Sequence, residues 1–190
     1  MKDVKNYKLT ANVTVGQCKH WMGKKDDFSK DKMIELVHHR FYNRYLKHAK
    51  SADSGFLKMA IACLLIETIE SFKQGLKNTK GKSSKMFQDF FHSEKRHFPG
   101  FDAIHKDFFD NVRCGILHQA ETTNAWRILL DGPLLDLSEK QINADQFVQG
   151  LEYSMTEYID RLREHHFTNK LWKNTLFKLE DICDNCEAKS

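Results

Sequence analysis

Apolar positions recur every three or four residues along most of this chain, the period of a helix with one buried face. Met33, Leu36, Val37, Phe41 and Leu46 form one such stripe, which predicts a helix over residues 30–49 with Ser29 as its N-cap. Residues 54–76 are the most apolar stretch, and Phe56 through Ile66 is nearly unbroken, as in a central helix buried on most sides. Met86, Phe87, Phe90 and Phe91 predict a short helix over 85–97, stopped by Pro99-Gly100. Further helices are expected over 101–122, 144–166 and 169–182, carried by Phe101, Phe108 and Val112, by Phe147, Leu151 and Leu162, and by Leu171, Trp172 and Leu179. Two places break the helical period. Lys8 to Val15 alternates weakly, as a strand would, within a basic and irregular segment. Trp126–Leu130 and Leu134–Leu137 flank Asp131-Gly132, a dipeptide that favours a hairpin turn, so a two-stranded ribbon is expected near 126–137. The pattern therefore predicts an all-α bundle with a small β-hairpin insertion and an extra C-terminal helix. One helical domain would span 28–182, after a basic extension over 1–27 and before a tail over 183–190.

Composition agrees with one domain. The chain has 190 residues, 41% of them hydrophobic, with 14 Phe to build a core and only 2 Pro and 9 Gly. Its net charge of +4 is unevenly spread. Residues 73–97 hold seven Lys or Arg against Asp89 and Glu94, a zone able to attract phosphates if it is more than a solvated basic loop. Nothing approaches the ~18 apolar residues of a membrane span, and the N-terminus lacks an apolar signal core. Five scattered Cys fit a reducing compartment, so a cytoplasmic protein without a membrane partner is expected. Cys183-x-x-Cys186 has no second pair at zinc-site spacing and reads as two thiols on a tail. P-loop, dinucleotide-glycine and HExxH patterns are absent from the sequence, so neither a cofactor nor a metal is expected.

What remains is Arg113 and His118, five residues apart in a mostly uncharged, apolar segment. Arg grips phosphate with a planar fork of donors, and His takes and returns a proton near neutrality. RNA carries its own nucleophile, the 2′-hydroxyl, so these two groups form a minimal kit for cutting it without a metal. Asn111, on the stripe of His118, is a candidate to bind substrate or orient the imidazole. Glu67 follows directly on the apolar run Phe56–Ile66, where a buried carboxylate needs a cation; Arg113 is the partner expected for it, an exposed Glu67 being the alternative. Gly115, one turn before His118, leaves room for another backbone or a nucleotide to come close. A second Arg/His match, Arg161 to His166, closes a charged helix and is explained by ion pairs along its surface. On an ideal helix Arg113 and His118 stand about 140° apart, so they meet at one phosphate only if the helix distorts or two copies of the chain combine.

Arg113-Cys-Gly-Ile-Leu-His118 resembles the R-x4–6-H motif of the HEPN superfamily, and the string from Phe108 to Glu121 is similar to a bacterial and plasmid-encoded branch of it. The resemblance covers residues 31–123 and a later helix. It implies a HEPN-like helical bundle, a homodimer, and a metal-independent endoribonuclease that cleaves single-stranded RNA by 2′-hydroxyl transphosphorylation. It also implies toxin-type or phage-defence roles and an antitoxin or defence partner. Arg113 and His118 would be catalytic, with Asn111 and Glu67 in support. The alternative is a non-catalytic HEPN module that binds nucleotides or RNA, or a dimeric adaptor. Cys114 departs from the polar residue often found after the Arg, and Ala120 stands where one toxin family has a Tyr.

Overall fold

The structure, a computed structural model, describes residues 4–186. It is mostly helical, and its order of elements begins earlier than the apolar pattern predicted. A short antiparallel pair, β1 (Lys8–Thr10) and β2 (Val13–Thr14), leads into helix α1 (Val15–Lys24). Thr14 starts α1 with a capping box: its side chain accepts from the Gln17 amide, and the Gln17 side chain accepts from the Thr14 amide. The extension over 1–27 is thus structured across most of its described length. Helix α2 (Asp27–Phe41) starts before the predicted Ser29 cap, because Asp26 rather than Ser29 supplies the capping oxygen, accepting from the Ser29 amide. A π-helical turn (Tyr42–Leu46) and α3 (Lys47–Ser51) continue it to the end expected for the first helix. Then come α4 (Gly55–Gln74), α5 (Ser83–Ser93), α6 (Phe101–Asp107), a π-helical stretch (Phe108–Arg113), α7 (Cys114–Gln119), three short strands, α8 (Ala144–Glu164) and α9 (Lys170–Asp184). No helix of the described residues is long and apolar enough to cross a membrane.

The chain divides into two compact units, Met1–Arg40 with Ser71–Asn78 and Glu157–Ser190, and Phe41–Glu70 with Thr79–Thr156. In the first, α1 packs on α9, and Leu171, Trp172, Thr175 and Leu179 turn inward at helical spacing. Trp172 donates its indole N–H to the Leu162 carbonyl, and Tyr158 shares a hydrogen bond with Thr175, so the buried polar atoms of this face are satisfied. Cys183 is buried on α9 rather than lying on a tail, and its thiol meets that of Cys18 on α1. The hydrogen bond between them raises the pKa of Cys18, with burial adding to it, and lowers that of Cys183. The last part of the expected tail, residues 187–190, lies outside the described residues.

The second unit is built on phenylalanine. Phe90, Phe91, Phe98, Phe101, Phe108 and Phe147 are fully buried and touch ring to ring, with Phe108 stacked on Phe147 at 5.5 Å. Such contacts add roughly 0.5–1.5 kcal/mol each beyond the area they bury. Lys58 is the costly member of this unit. Its buried ammonium caps the carbonyls of Ala49 and Lys50 and pairs with Asp145 at 2.8 Å, which offsets its desolvation.

The expected hairpin is not formed. β3 (Arg127–Leu129) and β4 (Leu135–Asp136) do not pair with each other; both pair with a third strand, β5 (Gln141–Asn143), β3 in parallel and β4 antiparallel. Five residues rather than two separate β3 from β4, and Pro133, just after the turn glycine, has no N–H for a ladder. The turn at Gly132 is instead held from outside, since the Gly132 carbonyl accepts from the side chains of Asn143 and Gln146.

Candidate functional site

The segment carrying Arg113 and His118 is not one straight helix. Over Phe108–Arg113 the backbone widens to a π-helix, and the Cys114 amide reaches back five residues to the Phe109 carbonyl. The segment closes in the same wide manner: Ala120, in the left-handed region at φ 57°, donates to the Gly115 carbonyl. This distortion, with the length of the Arg side chain, removes the need for a second chain to bring the two groups together. Arg113 Nη1 lies 3.3 Å from His118 Nε2 within one chain. A guanidinium only donates, so His118 presents an unprotonated Nε2 to it and keeps its ring proton on Nδ1.

Glu67 fixes the arginine. Its Oε1 accepts from both Nε (3.1 Å) and Nη2 (2.6 Å) of Arg113, and its Oε2 accepts from the Ser83 hydroxyl at 3.0 Å. The two charged side chains are only 14% and 13% exposed, so the ion pair expected from the sequence is formed and largely desolvated. Phe109, one turn before Arg113, lies under the guanidinium at 5.3 Å. Burial lowers the Arg113 pKa, but the Glu67 carboxylate more than compensates, leaving it above the usual arginine value. With Nε and Nη2 occupied, the Nη1 edge remains, directed at the exposed His118; Cys114 Sγ lies 4.0 Å from the same nitrogen. Burial raises the thiol of nearby Cys63 on α4, which makes it inert at neutral pH.

Asn111 does not touch His118. Its amide donates to Asp107, and its carbonyl oxygen accepts from Thr123 at 2.7 Å. Trp126 adds an indole hydrogen bond to Asp107, so these four side chains lash the loop after α7 back onto the π-helical stretch. Gly115 belongs to the same device. A methyl group there would collide with the carbonyl oxygen of Glu121, so the space left by the glycine is filled by this chain's own loop. Gly115→Ala is expected to destabilise the protein by roughly 2 kcal/mol or more, in the range of severe backbone clashes, which a melting curve would register. Ala120→Gly should do the reverse: a left-handed Ala costs about 1 kcal/mol that glycine avoids, so the melting midpoint should rise.

Ser83, Phe109, Asp107, Thr123 and Trp126 were not singled out as site residues in the sequence. Only Phe109 carries a readable signal, an aromatic four residues before an arginine on a helix. The others are joined to the site by tertiary contacts that spacing does not encode. Comparisons with protein-family models, with curated proteins and with solved structures find no match to this chain.

Proposed function

We propose that Arg113 and His118 form the active site of a metal-independent endoribonuclease of HEPN type, acting on single-stranded RNA. The observation that carries this reading is the pair itself, a phosphate-gripping donor and a base nitrogen 3.3 Å apart, with the arginine turned to that edge by Glu67. A non-bridging phosphate oxygen would take the Nη1 hydrogen bond. His118 Nε2 would remove the 2′-hydroxyl proton, and the 2′-oxygen would attack phosphorus as the 5′-oxygen leaves, giving a 2′,3′-cyclic phosphate. Glu67 has both oxygens occupied by Arg113 and Ser83, which suits a positioning carboxylate better than a metal ligand. The backbone favours function as well. Ala120, Asn124 and Ala125, all with positive φ, crowd the loop just after His118, and strain of this kind gathers at active sites.

A homodimer is part of the proposal, though not because Arg113 and His118 need two chains in order to meet. Leu57 and Leu64, seven residues apart on α4, are 51% and 45% exposed, and Leu64 lies one turn before Glu67. Burying this stripe between two copies would let the second copy's His118 protonate the leaving oxygen. The second reading, a non-catalytic HEPN module that binds RNA or nucleotides, rests on Glu67: an arginine already neutralised by a buried carboxylate has less charge to give to a phosphate. Turnover separates the two. Incubation of the full chain with end-labelled single-stranded RNA should yield shortened products with multiple turnovers; a gel shift without products would select the binding module.

A further inference from the structure

We propose that the groove between α1 and α9 docks an acidic amphipathic helix of a partner protein. The groove encloses about 560 Å³; Met22, Leu176 and Phe177 give it apolar lining, and Lys19, Lys25, Lys173 and Glu180 give it charge. Phe177 is 43% exposed, with Lys77 over its ring. Lys19 is paired with Asp184, but Lys25 and Lys173 make no ion pair among the described residues, so with Glu180 the groove lining still carries net positive charge.

Gly23 gives an independent indication. It lies within α1, where glycine weakens a helix relative to any ordinary residue, yet a Cβ placed on it would meet nothing within 4 Å. No contact inside the protein requires a glycine there, and its effect is to keep one wall of the groove low. Two helices with an apolar trough between them form the seat into which a third helix packs with anchors at i, i+3/i+4 and i+7. The flexible Met22 and aliphatic Leu176 suit Leu or Ile anchors. Asp or Glu beside those anchors would meet the lysines. A nucleic acid fits less well. The apolar lining of Met22, Leu176 and Phe177 offers no side-chain donors or acceptors for base edges, and Lys77 lies over the Phe177 ring, where a base would stack, at 5.3 Å.

The test uses the full chain and a fluorescein-labelled helical peptide of about 18 residues with Leu anchors and flanking Glu, followed by fluorescence anisotropy. Saturable binding is expected, weakened at least about tenfold by Gly23→Leu, which fills the trough. Gly23→Leu should also raise the melting midpoint, so the loss of binding cannot be ascribed to unfolding. The Lys25→Glu/Lys173→Glu protein should lose the Glu-flanked peptide and gain the same peptide with Lys in place of Glu. RNA cleavage should be unchanged in Gly23→Leu, which keeps this result separate from the fate of the Arg113–His118 reading. Absence of binding up to about 100 µM overturns the proposal, as does binding indifferent to Gly23→Leu. So would displacement of the peptide by oligouridine from the wild-type protein alone, which would assign the groove to nucleic acid.

Discussion

His118→Ala is expected to lower RNA cleavage by roughly 10²- to 10⁴-fold, the typical worth of a general base, with almost no change in the melting midpoint. The separation of the two effects follows from geometry. The imidazole is exposed, and its hydrogen bond in the structure is to Arg113 Nη1, a donor that solvent can satisfy in its absence. Loss of activity with the fold intact would be hard to reconcile with a structural histidine. A variant that cleaves as fast as the wild type would remove His118 from the mechanism.

Arg113→Ala should behave differently, losing both activity and stability. It strips the cation from a Glu67 that is 13% exposed, and an orphaned buried carboxylate costs about 3 kcal/mol, or roughly 6–12 °C of melting midpoint in a chain of this size. Glu67→Ala/Arg113→Ala should recover part of that stability, because neither charge is then left unpaired. Arg113→Lys decides the chemical role. A lysine can hold Glu67, but its ammonium lacks the guanidinium's separate edges for Glu67 and a phosphate, so stability should largely return while cleavage stays about 10²- to 10³-fold down. A lysine variant with full activity would make the planar fork irrelevant.

The helical character was legible in the sequence because the core positions keep a helical period. Met33, Leu36, Phe41, Phe90, Phe147 and Leu162 are all buried as that period requires. The attachment of Glu67 to Arg113, across 46 residues of chain, was legible as one of two alternatives, since a carboxylate just after the apolar run Phe56–Ile66 either meets a cation or reaches solvent. The misses share a cause. The π-helical widening at 108–113 is a change of backbone register from i−4 to i−5, and no side-chain pattern marks it. Gly115, by contrast, was read as room for another backbone or a nucleotide, and a backbone takes it: the chain's own loop at Glu121, tied down by Asn111 and Asp107. The Asp-Gly turn was recognised, but β5, three residues long, carries too little pattern to announce itself as the strand between β3 and β4. At the N-terminus the signal was present and passed over: Thr14-Val-Gly-Gln17 is a capping box in sequence as well as in structure.

The most direct measurement of the central claim is the chemistry of the cut ends. Single-stranded RNA incubated with the purified full chain in excess EDTA should give products ending in 2′,3′-cyclic phosphate, and the same RNA carrying 2′-deoxy sugars at the cut positions should stay whole. Cleavage that needs added divalent metal, leaves 5′-phosphate ends or proceeds on the 2′-deoxy substrate would contradict an Arg113–His118 transphosphorylation site.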